Sequence, residues 1–268
     1  GENGSAKGSF VREGFFEDVD AALCVHPAYR YGKTTASLAN DPVDIKFYGR
    51  ASHAAAAPEK GINALEALIQ VFNGINGLRL HLPKDVNIHG VITDGGVAAN
   101  VVPEYAAGRF YLRAANRATL DEVYEKVENI VKGAALATGT TYEFGLFQNS
   151  VDDVIVTPSF DELFFAHTQE VGVPQAEIDV ETKASLGSSD VGNVSQVIPT
   201  IQPTVSISDE YIAGHSEEFK AAARSTKGLN SIAIAAELLA LTALDLYQKP
   251  ELLTQIKADH QASLAKGN

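Results

Sequence analysis

The stretch from residue 42 to residue 150 alternates strand-like and helix-like segments in an order that few folds satisfy. Two segments repeat apolar residues at helical spacing; Pro58 begins the first and Gly139 ends the second. Thr119, with Glu122 three residues later, predicts a capping box at the start of the second helix. Four segments have strand character: PVDIKFYG, DVNIHGVIT, EYAAGRFYLRA and TTYEFGLF. The order β-α-β-β-α-β predicts a ferredoxin-like α+β domain.

The segments on either side differ from this stretch and predict a second domain. Before it, the apolar run 21–25 predicts a buried strand that ends at His26. After it come a helix, a short strand AEIDV, a loop rich in Gly, Ser and Asp, a strand TVSIS and long C-terminal helices. Such a mixture is typical of an α/β domain. The predicted domains are an α/β domain made of residues 1–42 and 151–268, and a ferredoxin-like domain, 43–150, inserted into it.

Charge and cysteine content restrict the functions that the chain can have. Thirty-four acidic and 21 basic residues give a net charge of −13, so no basic surface is expected and nucleic acid is excluded as a partner. The one cysteine, Cys24, cannot form an intramolecular disulfide and favours a reducing, cytoplasmic location. The longest apolar run, 231–246, contains Glu237 and predicts a core helix, so no membrane association is expected.

The sequence begins GENGSAKGSF and contains no methionine. We expect it to be a fragment of a longer protein. The alternative at this stage is a complete protein preceded by the remnant of a tag.

Four polar positions are candidates for chemistry. Glu2, His26 and His215 are residue types that bind zinc, although histidines bonded only to local backbone are commoner. His53 lies among small residues in GRASHAAAAP, where the simplest interpretation is a histidine at a strand tip with local hydrogen bonds. The loop 186–195 predicts a turn and a helix start, a geometry that also presents backbone N–H groups to a ligand.

Four motifs occur in one order along nearly the whole chain: GRASHAAAAPEKGINALEAL, GGVAANVVPEYAAGRFYLRA, GSSDVGNVS and GHSEEF. Together they resemble the aminoacylase/carboxypeptidase family of metal-dependent amidohydrolases, and most closely its p-aminobenzoyl-glutamate hydrolase and aminoacylase-like branch. The resemblance implies a zinc-peptidase-like α/β domain interrupted by a ferredoxin-like lid that forms a homodimer. It also implies a small-molecule substrate, an N-acyl amino acid, a dipeptide or an aryl-glutamate.

The resemblance implies roles for individual residues. Glu2, His26 and His215 match metal ligands for one or two zinc ions, with manganese or cobalt as alternatives; Glu217 stands where the family usually has proline. His53 matches a lid histidine that reaches the active site of the other subunit and stabilises the oxyanion.

The resemblance implies that the remaining matched residues bind substrate. Asn100 and Arg113 match lid residues that hold a substrate oxygen and a carboxylate, and a guanidinium suits a carboxylate because it bonds through two N–H groups. The loop residues Ser188, Ser189 and Asp190 are expected to help orient the carboxylate.

One departure from the family's pattern leads to two alternative functions. The family's general base immediately precedes the ligand glutamate, and that position here is Gly1; its other ligands lie further upstream. The first hypothesis is therefore a metal-dependent amidohydrolase of which this chain is a part. The alternative is a dimerising fragment or subunit that binds but does not cleave. In either case we expect this chain alone to bind zinc poorly and to lack amidase activity.

Overall fold

The computed structural model describes residues 4–179 and 187–266. The helices in this part are α1 Ala6–Arg12, α2 Ala64–Leu78, α3 Arg117–Thr138, α4 Pro158–Ala166, α5 Val191–Ser195, α6 Glu217–Ala223, α7 Thr226–Gln248 and α8 Pro250–Lys266. The strands are β1 Ala22–Leu23, β2 His26–Ala28, β3 Ala39–Tyr48, β4 Asn87–Asp94, β5 Tyr105–Ala114, β6 Thr141–Leu146, β7 Thr200–Ile201 and β8 Thr204–Ser206. Short 3₁₀ turns are Pro58–Lys60, Arg79–His81 and Gln175–Glu177.

The chain divides into two compact units. We call the first the ferredoxin-like unit; it comprises Gly1–Ala6 and Leu38–Asp152. We call the second the α/β unit; it comprises Lys7–Ser37 and Asp153–Asn268. Each is described separately below.

The ferredoxin-like unit contains a four-stranded antiparallel sheet in the order β4-β5-β3-β6. Helices α2 and α3 contact each other and cover one face of the sheet. Alternate residues of the central strands, including Val43, Ile45, Phe47, Phe110 and Leu112, are buried on that face. Burying one such side chain contributes roughly 1.5–3 kcal/mol, so this face holds the unit together. The intervening residues lie on the opposite face, which neither α2 nor α3 covers.

Local sequence signals set the helix ends, although not always at the predicted residue. Pro58 begins a separate 3₁₀ turn, and α2 starts only after Asn63, whose side-chain oxygen accepts hydrogen bonds from Leu65 and Glu66. Asn116 caps α3 by accepting the N–H of residue 119, so the predicted Thr119 cap is wrong. Asn116 stands at the N-cap three residues before Thr119, so the helix begins about one turn earlier than predicted. Gly139 ends α3 with φ of 75°, as its lack of a Cβ permits.

The α/β unit contains two short parallel strand pairs, β1 with β7 and β2 with β8. Its buried core joins side chains of the helices and strands: Tyr31, Phe160, Phe164, Ile201, Val205, Leu238 and Ile256. Two sequence expectations fail here. The run 21–25 forms only a two-residue, half-buried strand, and His26 begins the next strand instead of ending this one. Of the predicted strand AEIDV, residues 176–179 begin inside a 3₁₀ turn and make a single bridge, Ile178 to Tyr31, and Val180 lies outside the described residues.

Helix α7 is the one helix among the described residues that is long and apolar enough to cross a membrane by length and composition. One face lies in the core of the α/β unit through Ser231, Ala235, Leu238 and Thr242. The opposite face is exposed and includes Leu229, Ile232, Leu244 and Tyr247. The helix is therefore half covered, whereas the sequence predicted a core helix. Its length and composition are weak evidence for a membrane span.

Candidate active site residues

The segment after β3 holds His53 beside Asn100. The N–H of Ala54 donates to the Asn100 carbonyl over 3.0 Å, and His53 forms an antiparallel bridge with Val101. Both His53 and Asn100 are exposed. The sequence separation of these two residues is large, so this pairing depends on the tertiary structure of the ferredoxin-like unit.

The imidazole of His53 is oriented by its own loop. Its Nδ1 accepts N–H groups from Ala55 at 3.3 Å and Ala56 at 3.2 Å. A neutral imidazole that accepts at Nδ1 carries its proton on Nε2. The backbone N–H groups of Ala55 and Ala56 therefore select the tautomer in which Nε2 carries the proton and is a hydrogen-bond donor. Local hydrogen bonds were the simplest interpretation of His53 from the sequence. The same hydrogen bonds place its proton on Nε2, from which it can donate.

Arg113 lies on the face of the sheet opposite α2 and α3, near the end of β5. It is directly opposite Asn40 on β3 and Asn87 on β4. Its guanidinium carbon lies 5.6 Å from the centre of the Tyr111 ring, and its side chain is half-buried. This contact holds the guanidinium beside the Tyr111 ring near the end of β5.

In the α/β unit, His26 is exposed at the first residue of β2. Its Nδ1 lies 2.9 Å from the carbonyl oxygen of Pro27, so Nδ1 carries the proton and donates it there. Metal-binding histidines commonly donate one ring N–H to a carbonyl and bind the metal through the other nitrogen. The orientation of His26 therefore leaves Nε2 with the lone pair that a metal ligand needs.

His215 has an unusual backbone conformation. Its φ is +61°, in the left-handed region that only Ser5 shares among the described non-glycine residues. Such a conformation costs about 1–2 kcal/mol for a residue with a Cβ, and it is commonest at functional sites. Ser216, which follows, caps α6 by accepting the N–H of Phe219 at 3.0 Å. The left-handed backbone of His215 and the cap formed by Ser216 together fix the position of His215 just before the start of α6.

The loop containing Ser188, Ser189 and Asp190 leads into α5. The Ser189 hydroxyl accepts the N–H of Val191 at 3.4 Å. The Asp190 carboxylate accepts the ammonium of Lys7 at 2.8 Å and the backbone N–H of Lys7 at 3.2 Å. Asp190 thus anchors α1, and the sequence analysis did not anticipate Lys7. Neighbouring Cys24 is half-buried, and burial raises the pKa of its thiol.

Sequence analysis also missed Asp161 in α4, because an acidic residue in a helix gives no sign that it is buried. Its Oδ1 accepts the backbone N–H of Thr34 at 2.9 Å and the Thr34 hydroxyl at 2.8 Å. Burial raises its pKa from an ordinary value near 3.8 to about 6. The carboxyl lies within the core of the α/β unit and ties the segment at residue 34 to α4.

The predicted metal ligands are not assembled within the described part of the chain. Across residues 4–179 and 187–266, no three His, Cys, Asp or Glu side chains lie together as a metal site requires. Glu2 lies outside the described residues. His26 and His215 offer the imidazole nitrogens that zinc accepts, but two imidazoles do not complete a zinc site.

Comparison with known proteins accounts for both units. Residues 42–138 match the M20 peptidase dimerisation domain. The chain is 32% identical over 263 residues to the human Xaa-Arg dipeptidase, in an alignment that covers 98% of this chain and 60% of that protein. It belongs to the M20 peptidase family. Members of this family generally use a metal such as zinc. This M20 chain spans about 60% of the length of that dipeptidase.

Two further relatives agree with this assignment. The p-aminobenzoyl-glutamate hydrolase of Escherichia coli has a subunit that is 35% identical over 176 residues, 65% of this M20 chain and 36% of that protein. The crystal structure of an aminobenzoyl-glutamate utilization protein from Klebsiella pneumoniae superposes with a TM-score of 0.69 at 21% identity. The superposition covers 89% of this chain and 58% of the Klebsiella pneumoniae chain. The predicted fold class, an α/β protein with a ferredoxin-like dimerisation domain, is therefore confirmed.

Proposed function

We propose that this M20 chain acts in the metal-dependent hydrolysis of an amide bond, in an N-acyl amino acid, a dipeptide or an aryl-glutamate. Its relatives carry the names of a dipeptidase and of an aminobenzoyl-glutamate hydrolase, which support this choice. The observation that carries the proposal is the tautomer of His53, whose acceptor bonds at Nδ1 leave Nε2 as a donor. An amide hydrolase needs such a donor where negative charge develops on the carbonyl oxygen.

In this proposal the residues of the ferredoxin-like unit bind and orient the substrate. Arg113 holds the carboxylate through paired N–H groups, and Asn100 bonds a substrate oxygen. His53 donates from Nε2 to the oxyanion in the active site of the other subunit. Removing one oxyanion donor commonly lowers kcat about 10²–10³-fold, which sets the size of the expected effect. Ser188, Ser189 and Asp190 help to orient the substrate carboxylate.

For the metal, we propose zinc, with manganese or cobalt as alternatives. His26, His215 and Glu2 are the residues of this chain that would hold it. A bound zinc ion supplies an activated water at neutral pH. The orientation of His26 supports this role. The ligands brought together among the described residues are too few to complete a zinc site.

We further propose that the chain is a cytoplasmic homodimer joined through β4. This strand is at one edge of the sheet, and an unpaired edge is a ready template for another strand. Val91 and Ile92 on β4 are 60% and 47% exposed, and Val97 beyond it is 97% exposed. The match to a dimerisation domain supports this surface as the contact. Sedimentation should give a dimer at micromolar concentration, and a Val91→Lys substitution should shift it toward monomer.

A second function is a dimerising subunit that binds substrate without cleaving it. The match of residues 42–138 to a dimerisation domain supports this role as well. The two functions differ in metal content and turnover. Purified protein should be assayed against an N-acyl glutamate and a dipeptide after equilibration with zinc, alongside its metal content by mass spectrometry. Substrate binding without turnover would support the non-cleaving role, whereas turnover that a chelator removes would support the hydrolase.

A further inference from the structure

The segment that carries His53 is a loop whose two ends meet. We call residues 50–62 the His53 loop. At its base, Arg50 and Ile62 form an antiparallel bridge with two backbone hydrogen bonds of 2.9 Å each. A Cβ at Gly49, just before the bridge, would overlap the Ile62 carbonyl oxygen that accepts the Arg50 N–H, so this close approach needs glycine. Backbone contacts therefore fix the ends of the His53 loop.

The first half of the His53 loop is held by a neighbouring segment. The N–H of Val102 donates to the Ser52 carbonyl at 3.0 Å, and the N–H of Ala54 donates to the Asn100 carbonyl at 3.0 Å. His53 lies between these two contacts, so its backbone has a fixed place. Neither contact involves the imidazole, whose surroundings depend on the residues that follow.

The imidazole contacts the turn that follows it. The N–H of Ala57 donates to the His53 carbonyl at 3.0 Å, which closes the turn 53–57. Within this turn, the N–H groups of Ala55 and Ala56 donate to His53 Nδ1 at 3.3 and 3.2 Å, as the first N–H groups of a helix do to a capping side chain. Hydrogen bonds from N–H groups are commonly roughly 2.7–3.2 Å long, so both contacts are near the limit. A small opening of the turn would break them.

The far side of the turn is held by the side chain of Arg50. The Ala57 carbonyl accepts the N–H of Lys60 at 3.2 Å, and the Lys60 carbonyl accepts the Nε–H of Arg50 at 2.6 Å. A path of three hydrogen bonds thus leads from Arg50 through Lys60 and Ala57 to His53. The guanidinium donates the first of these, and the other two join backbone atoms. A charged donor makes the stronger kind of hydrogen bond, and this one is the shortest in the path.

We propose that Arg50 is a positioning residue for His53: its bond to the Lys60 carbonyl holds the turn that keeps the His53 proton on Nε2. This inference rests on the proposed function, in which Nε2 donates to the oxyanion. Without the bond from Arg50 the turn opens, and Nδ1 loses the N–H groups of Ala55 and Ala56. The single proton of the neutral ring can then leave Nε2 for water while Nδ1 takes one from water. The donor that the reaction needs is therefore present in fewer molecules.

Two substitutions at residue 50 isolate this hydrogen bond. In Arg50→Gln the side-chain nitrogen is bonded to Cδ, as Nε is in arginine, so a donor stays at the same distance along the side chain. In Arg50→Met a methyl carbon takes that place and cannot donate. Both variants lack the positive charge, so a difference between them reports the hydrogen bond. Arg50 is exposed, and urea denaturation of the two variants should therefore have the same midpoint.

The measurement is nitrogen-15 NMR of the imidazoles in the intact chain at about pH 8.5, where imidazoles are neutral. Ring nitrogens with and without a proton have separate resonances, and His53→Gln assigns those of His53. The unaltered protein and Arg50→Gln should carry the proton on Nε2. In Arg50→Met the fraction protonated at Nδ1 should rise about 2–10-fold, the range expected for the loss of one ordinary hydrogen bond. Solvent exchange of the Ala55 and Ala56 amide protons should become faster by a similar factor in this variant alone.

Each contrary result has a distinct meaning. Equal spectra and equal amide exchange in Arg50→Met and Arg50→Gln would overturn the positioning role, because the hydrogen bond would then be without effect on His53. If the unaltered protein keeps its proton on Nε2 in that case, the proposed function stands. A His53 protonated at Nδ1 in the unaltered protein would contradict both the positioning role of Arg50 and the proposed role of His53.

Discussion

Each unit buries an aspartate, and the two carboxylates are held in different ways. Asp41 of the ferredoxin-like unit accepts hydrogen bonds from Arg117 at 3.1 Å to each oxygen, and from the Ser150 hydroxyl. Asp161 of the α/β unit accepts only from Thr34 among the described residues, and its Oδ2 has no hydrogen-bond partner there. The ferredoxin-like unit therefore stabilises its aspartate with the positive charge of Arg117. The α/β unit stabilises Asp161 with the N–H and O–H dipoles of Thr34.

This difference affects the pKa of each carboxyl. Burial raises the pKa of both, but at Asp41 the charge of Arg117 and its hydrogen bonds act against the rise. At Asp161 the hydrogen bonds from Thr34 and the charge of Lys33 lower the pKa less than burial raises it, and the pKa reaches about 6. The ferredoxin-like unit thus opposes burial with an ion pair, whereas Asp161 binds a proton at a higher pH than an exposed aspartate does. The two units should therefore respond differently to substitution and to pH.

The largest effect is expected from Arg117→Ala, which removes the cation and leaves Asp41 buried without it. Breaking a buried pair from one side costs about 3–5 kcal/mol of unfolding free energy, and urea denaturation would measure this loss. Lys126→Ala on the same helix breaks only the exposed pair with Glu122 and should cost less than about 1 kcal/mol. Equal losses in the two variants would show that Asp41 does not depend on Arg117.

His53→Ala should separate function from stability within the ferredoxin-like unit. Its side chain is exposed, so the unfolding free energy should change little. In a dimer of the longer protein, which carries the catalytic base, kcat should fall about 10²–10³-fold with little change in KM, because the donor acts mainly in the transition state.

The same variant tests whether His53 acts across the dimer. Hybrid dimers of His53→Ala subunits with subunits that lack the catalytic base should regain activity at one site. If subunit exchange is verified and the hybrids stay inactive, the role of His53 in the other subunit is wrong.

Asp161 should make the α/β unit less stable as pH rises. The native state keeps a proton that the unfolded chain releases, so stability is greatest below pH 4 on this account and is lost between about pH 4 and 6. A change of about two pKa units corresponds to about 3 kcal/mol. Asp161→Asn should therefore be more stable than the unaltered chain at pH 8 and similar at pH 4 by thermal denaturation. Exposed Asp18→Asn is the control; identical pH profiles for all three proteins would contradict the assignment.

Arg113→Ala should have the smallest effect of the four. It removes a charged hydrogen bond to a carboxylate that is present before and during the reaction, worth about 1.5–3 kcal/mol. KM should rise about 10–100-fold while kcat changes little, and steady-state kinetics would show the split. A loss confined to kcat would mean that Arg113 acts on the transition state instead.

Much of the ferredoxin-like unit could be predicted because its signals are local. Alternation marks the strands, and Gly139 ends α3 where the sequence places the end. The predictions that failed have two causes: one is a contact distant in sequence, and the other is a choice between nearby caps. AEIDV has strand-like residues, but Ile178 bridges only Tyr31, and Asn116 instead of Thr119 caps α3. Local patterns do not specify which of two nearby caps the backbone uses.

The sequence by itself determined the order of elements in the ferredoxin-like unit and the membership of the family, because periodicity, caps and motifs are each contained in short segments. Only the tertiary structure decided which side chains meet. It pairs Lys7 with Asp190 across 183 positions, buries Asp161 against Thr34, and places Asn100 beside His53. The physical reason is that burial and strand register arise from packing between distant segments. A charged or polar residue therefore acquires its role only when its neighbours are in place.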